Sequence, residues 1–176
     1  MKSLEVQVGI FATDAGIRPE CLPDDGDFLM SLYGTTRRPE LAGLGWSQTE
    51  MDAFIRMQFV AQASHFRRAF PRAAYSVICV KGERAGRLVV DRPGREVTIV
   101  DLSLLPEFRG KGIGGWLVRQ ILDEADAERL PVRCHVLRGS DARRFWERAG
   151  FIAGDDDGAY VAMERAGAWG GGATPR

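Results

Sequence analysis

The run Arg109-Gly110-Lys111-Gly112-Ile113-Gly114-Gly115 holds the densest chemical signal in the chain. An apolar, strand-like segment precedes it and an amphipathic helix follows. Glycines in such a turn let the backbone adopt positive φ and approach a neighbour closely. The first N–H groups of the helix then face outward at the positive end of its dipole, where phosphate binds. Arg109 and Lys111 add charge. The same composition also serves a turn that merely packs tightly, because short glycine motifs are permissive. Two residues can handle protons. Imidazole ordinarily titrates near pH 6.5, about right for taking a proton from an attacking ammonium, so His135 in VRCHVL is one candidate base. Asp101 in VTIVDLSL is the other, since a carboxylate on a strand expected to be central needs a reason, which an ion pair also supplies. Cys134 beside His135 suggests a nucleophile pair. Adjacent strand residues point to opposite faces, which excludes that relay.

The phosphate ligand is narrowed by what surrounds the glycines. Gly110, Gly112 and Gly115 match G-x-G-x-x-G, which alone supports a dinucleotide-binding oxidoreductase. Pro106-Glu107-Phe108-Arg109 separates them from the strand, whereas the dinucleotide turn is tight, and no acidic residue closes the next strand. The G-x-x-x-x-G-K-[ST] of nucleoside triphosphatases is absent.

The elements that position these residues follow from pattern. Residues 27–33 read as a short helix, and 34–48, with Gly, Pro and Thr-Thr, as a loop. Ser47 and Glu50 have capping-box spacing, and Met51, Phe54, Ile55, Phe59, Ala63, Phe66 and Phe70 recur at helical period up to Pro71. Strands are expected at 75–80, 85–90 and 96–104, joined by turns at Lys81-Gly82 and Asp91–Gly94. A helix with Ile113, Leu117, Ile121 and Ala125 on one face runs to about Ala127. A strand at 132–137 follows, then a helix at 140–149 ended by Gly150, and a closing hairpin around GDDDG. The fold class expected is α/β (α+β): a mixed, mostly antiparallel sheet flanked by helices on both faces, preceded by a further strand near the N-terminus.

Composition bounds the rest. A chain of 176 residues is one ordinary domain, and 45% apolar with 27% charged residues is globular. Twenty-four basic residues balance 24 acidic ones, which gives no general attraction for nucleic acid or membrane. Three widely spaced cysteines make neither a disulfide framework nor a zinc pattern. With no signal peptide and no stretch suited to span a membrane, a reduced, cytoplasmic protein is expected. Residues 1–14 read as an extension, 15–165 as the domain, and the glycine-rich 166–176, with Trp169, as a disordered tail.

Two segments carry a family resemblance. Leu104 to Gly114, LLPEFRGKGIG, resembles the acetyl-CoA motif [QR]-x-x-G-x-[GA] of the GNAT N-acetyltransferases, with Arg109, Gly112 and Gly114 in its fixed positions. Asp141 to Phe151, DARRFWERAGF, is similar to the family's A-x-x-[LF]-Y-x-x-x-G-F helix. The order of elements from 27 to 163 is similar too. The resemblance implies an enzyme that transfers acetyl from acetyl-CoA, or another acyl-CoA, to an amine of a small molecule or peptide by direct attack in a ternary complex, with no metal. It leaves homodimerisation open. Leu102, Ser103 and Leu104 match the strand whose backbone pairs with pantetheine. Arg109, Gly110, Lys111, Gly112, Ile113, Gly114 and Gly115 match the pyrophosphate loop, and Ser140 matches an Asn that contacts the cofactor. Residues 33–48, with Arg37, Arg38 and Trp46, match the region that shapes the acceptor site.

Trp146 departs from the pattern, standing where the family often has a Tyr that protonates the leaving thiolate. An indole N–H donates a hydrogen bond but is no practical acid. Trp146 therefore either steadies the thiolate without protonating it or caps the core. The alternative to an enzyme is a non-catalytic acyl-CoA sensor or scaffold. His135, Asp101 or an ordered water would take the amine proton.

Overall fold

The computed structural model describes residues 14–156 and 158–167. The expected N-terminal extension up to residue 13, Asp157 of the last turn and the tail from 168, Trp169 included, lie outside the described residues. The elements are β1 (Ala15–Pro19), α1 (Gly26–Leu41), α2 (Gln48–Ala69), β2 (Ala74–Val80), β3 (Glu83–Asp91), β4 (Val97–Leu104), α3 (Ile113–Glu128), β5 (Val132–Leu137), α4 (Ala142–Arg148), β6 (Ile152–Asp156) and β7 (Tyr160–Arg165). The strands form one seven-stranded sheet in the order β1-β2-β3-β4-β5-β7-β6. Pairing is antiparallel for β1 with β2, β5 with β7 and β6 with β7, and parallel for β4 with β5. The connection of the parallel pair runs through α3, as a crossover demands.

By internal contacts the chain divides into two compact units. One comprises the residues up to Val89 with Leu102–Ile113; the other comprises Val90–Asp101 with the residues from Gly114 onward. In the first unit, Val77, Ile78, Ala85 and Val89 are fully buried on β2 and β3, and Leu29, Leu32 and Ile55 are buried on α1 and α2. This unit also buries charge. The Asp25 carboxylate is 1% exposed and accepts both Arg18 guanidinium nitrogens at 2.7 and 2.6 Å. The pairing holds its pKa well below the ordinary carboxylate range. In the second unit, Val132, Cys134 and Val136 of β5 face inward with Val161 and Met163 of β7, and Leu117, Val118, Ile121 and Ala125 bury the inner stripe of α3.

Two expectations need correction. Residues 34–48 are not a loop: α1 continues to Leu41, with Pro39 inside its last turn, and a single 3₁₀ turn spans Ala42–Leu44. Local signals favoured a break there, but tertiary packing decides. Gly34 is buried, and a Cβ there would lie 3.8 Å from Ile55 Cγ2, in ordinary contact, so α1 rests on α2 at this point. The Thr35 and Thr36 hydroxyls donate to the Leu32 and Tyr33 carbonyls at 2.8 Å, satisfying groups within the helix. The second correction concerns α2. Its capping box forms as the spacing predicts. Of its expected core stripe, however, only Ile55 is buried, while the aromatic members are half-buried.

Candidate functional site: the glycine turn and its neighbouring strands

The turn between β4 and α3 is built stepwise. Leu105 N–H donates to Ala85 O at 2.9 Å, closing the β3–β4 ladder. Pro106–Phe108 form one 3₁₀ turn, Arg109 is extended, and Gly110 and Gly112 take φ of +70° and +81°. An L-residue with a Cβ pays about 1–2 kcal/mol for that region, so the backbone itself calls for glycine at both positions. Ile113, 2% exposed, anchors the first residue of α3. A Cβ on Gly110, Gly112 or Gly115 would meet no atom of the described residues within 4 Å. Gly115 is helical, so neither its backbone nor its packing explains the absent side chain.

The charges of this turn are kept. Arg109 Nε donates to Leu104 O at 2.7 Å, and its Nη2 donates to Thr35 Oγ1 at 3.1 Å, both neutral oxygens. Lys111 Nζ lies 5.8 Å from the centre of the Phe108 ring. Among the described residues no carboxylate pairs with either cation. The arginines of the second unit behave differently. Arg133 is held by Glu96 and Glu164, Arg138 by Asp156 and Arg143 by Glu147. Those three belong to a neutralised, solvated face, as the alternating charges predict.

Gly86 on β3 fixes the end of β4. A Cβ there would sit 2.2 Å from Ser103 O and 2.8 Å from Leu104 Cδ2, distances no real side chain tolerates. Only glycine lets the two backbones approach so closely. The sequence reading passed over Gly86, although an isolated glycine inside a strand pattern is the recognised signal for such an approach. Leu102, Ser103 and Leu104 are half-buried there.

The two candidate bases are separated by register. β4 and β5 pair in parallel as Val97↔Val132, Thr98↔Arg133 and Ile99↔Cys134. Residues two apart share a face, so Asp101 continues the Ile99–Cys134 face while His135 continues the Thr98–Arg133 face. Carried on from Ile99 and Cys134, that alternation sets them on opposite faces, as alternatives rather than a dyad. His135 is exposed and sits opposite Ala162 of β7; Asp101 is half-buried. Cys134 is 2% exposed, and burial pushes its thiol up to about 12, which agrees with excluding it as a nucleophile.

Ser140 follows Gly139, whose φ is +76°, just before α4, so α4 is shorter than the expected 140–149. Its Oγ is buried and makes no hydrogen bond with the described residues. Leaving such a hydroxyl unsatisfied costs about 1–3 kcal/mol, so its presence needs a reason. Trp146 is 7% exposed, with its ring edge-on to Phe145 and Phe151, each at 5.0 Å between centroids. That is the environment of a core side chain. In the α1–α2 segment, Arg37 is bound to Glu40 and Tyr33, Arg38 to Asp52, and Trp46 packs edge-on to Phe54.

The sequence of residues 37–151 matches the family model described as acetyltransferase (GNAT) family. The chain belongs to the GNAT acetyltransferase family. Solved structures agree at the level of fold. The PaiA N-acetyltransferase of Thermoplasma acidophilum, in complex with coenzyme A, is 18% identical, with 86% of this chain and 98% of that one covered and a TM-score of 0.65. An acetyltransferase from Thermus thermophilus is 17% identical over 86% of this chain and 96% of that one, with a TM-score of 0.60. A GNAT family acetyltransferase from Elizabethkingia anophelis with acetyl-CoA bound is 14% identical over 87% and 98%, with a TM-score of 0.52. No curated protein matches the chain by sequence. Membership of the GNAT family sets aside the oxidoreductase reading of G-x-G-x-x-G, and the mixed seven-stranded sheet is the GNAT sheet. The chain is thus a GNAT-type N-acetyltransferase. Among the described residues no helix is long and apolar enough to cross a membrane.

Proposed function

We propose that this acetyltransferase moves an acetyl or related acyl group from acyl-CoA to a primary amine by direct attack in a ternary complex. The observation that carries the reading is the β4–α3 turn. It has two glycines at positive φ, a third, Gly115, at which a Cβ would meet no atom of the described residues within 4 Å, and two cations that no carboxylate among the described residues pairs with. A diphosphate fits those groups through helix N–H donors and through the charge of Arg109 and Lys111. Gly114 and Ile113 continue the same run of backbone into α3. The buried Ser140 hydroxyl also suits a polar group of the cofactor, although Ser reaches less far than the Asn of the resembling pattern.

Each residue then has a defined task. Backbone groups of Leu102, Ser103 and Leu104, held against β3 by Gly86, pair with the amide-rich pantetheine arm, and an N–H of this strand polarises the thioester carbonyl. The amine nitrogen bonds to the carbonyl carbon, the C–S bond breaks, and the electron pair leaves on sulfur. The surplus proton of the nitrogen goes to His135, to Asp101 or to water. Trp146 supplies packing, and its indole is at most a hydrogen-bond donor to the departing sulfur. Because a thiol ordinarily titrates near 8.5, the leaving group tolerates the lack of a protein acid. The acceptor belongs to a small molecule or a peptide, and residues 33–48 on α1 and its following turn shape its site.

Calorimetric titration with acetyl-CoA, with CoA and NADPH as comparators, followed by thiol release with a panel of amines, tests this reading. Micromolar acetyl-CoA binding and amine-dependent thiol release are expected. Binding without thiol release from any amine would reinstate the sensor alternative, and absence of binding to every CoA ester would overturn the placement of the cofactor.

A further inference from the structure

Among the described residues, Arg109 is the one charged side chain of the turn hydrogen-bonded to another element. Its Nε is taken by the last carbonyl of β4, Leu104 O, at 2.7 Å, and its Nη2 reaches Thr35 Oγ1 on α1 at 3.1 Å. The hydroxyl proton of Thr35 is already committed to Leu32 O at 2.8 Å. A hydroxyl has one proton and two lone pairs, so its direction is set by the helix and a lone pair is left for Arg109. The guanidinium is thus fixed at two points by neutral oxygens and keeps its full charge at the start of the turn. An exposed arginine carries about 2 kcal/mol of rotamer entropy, which a loose side chain would surrender on meeting an anion. Here the helix has surrendered it in advance.

We propose that Thr35, outside the glycine motif, is a positioning residue for the anion-binding turn: it holds Arg109 in place and so ties α1, the helix that also bears Arg37 and Arg38, to the acyl-CoA loop. This inference rests on the reading of the turn as the diphosphate site. Thr36 provides a matched control. Its hydroxyl makes the same bond one residue on, to Tyr33 O at 2.8 Å, and among the described residues it is not a hydrogen-bond partner of Arg109.

The test compares Thr35→Val, Thr35→Ser and Thr36→Val in the full chain by two measurements. The first is amide hydrogen exchange across residues 109–113 in the free protein; the second is the acetyl-CoA dissociation constant by calorimetry. Thr35→Val should speed exchange in the loop severalfold and weaken acetyl-CoA binding about fivefold to tenfold, corresponding to one hydrogen bond to a charged group at an exposed site. Thr35→Ser should restore both values, and Thr36→Val should leave both as in the wild type. Wild-type loop exchange or wild-type affinity in Thr35→Val overturns the inference, and so does equal damage from Thr36→Val or a failure of serine to rescue. A wild-type protein that binds no acetyl-CoA overturns the reading of the turn itself, and the inference with it, whereas a binding wild type with an unaffected Thr35→Val overturns the inference alone.

Discussion

Gly115→Ala separates a glycine kept for the fold from one kept for a ligand. Gly115 is exposed in the first turn of α3, its φ is not positive, and an added Cβ would meet no atom of the described residues within 4 Å. Alanine is the better helix former by up to about 1 kcal/mol in a helix interior, and about half of that is reasonable in a first turn. The free protein should therefore gain about 0.5 kcal/mol, or about 1–2 °C in melting temperature for a chain of this size. If the space outside Gly115 admits the diphosphate, the methyl group intrudes on a ligand instead of on protein. Overpacking by one methyl group costs about 1–3 kcal/mol, so acetyl-CoA should bind about tenfold more weakly or worse. Thermal unfolding without ligand and calorimetry with acetyl-CoA measure the two effects separately. A variant that is stabilised and binds acetyl-CoA as well as the wild type would refute the assignment of this space to the cofactor. A destabilised variant would refute the claim that the space is open.

Other outcomes are as specific. Gly86→Ala forces a Cβ to within 2.2 Å of Ser103 O, so it should cost about 3 kcal/mol and lower the melting temperature by roughly 6–12 °C, with acetyl-CoA affinity falling as the end of β4 shifts. His135→Ala should lower the rate by about 10²-fold and remove the acidic limb of the pH–rate profile; an unchanged profile moves the base to Asp101 or water. Asp25→Asn breaks a buried ion pair whose arginine can rehydrate, so it should cost about 2 kcal/mol at neutral pH, read by urea unfolding. The folded carboxyl of Asp25 titrates below its unfolded value, so its contribution is complete above the ordinary carboxylate range near 3.9 and fades as pH falls beneath it. The wild type should therefore lose its advantage over Asp25→Asn in that acid window. Alkylating reagent at pH 8 should label the exposed Cys21 and spare Cys134 until the protein unfolds, because the Cys134 thiol is buried and pushed up to about 12.

The local code of this chain is legible where physical chemistry acts over a few residues. Ser47 and Glu50 meet as a capping box because both partners lie within one helical turn. Gly150 takes φ of +89° after α4, and the alternation of VRCHVL buries Val132, Cys134 and Val136 and exposes Arg133 and His135. The glycine turn and the succession of elements along the chain from β2 onward follow from the same short-range signals. Tertiary structure decided the rest. Residues 34–41 belong to a helix that is buried at Gly34 and lies against Ile55 of α2 there, a contact no local window contains. The stripe of α2 is half-buried because burial depends on what packs against a helix, whereas amphipathic spacing only shows which face is available. The separation of His135 from Asp101 needed the β4–β5 register, which sequence pattern leaves open. The motif showed Arg109 only as an added charge, yet it is braced by Thr35, far away in sequence. Sequence determines what each side chain can donate, accept or titrate; only the folded chain decides which distant group it meets, because hydrogen bonds and packing act over a few ångströms of space rather than along the chain.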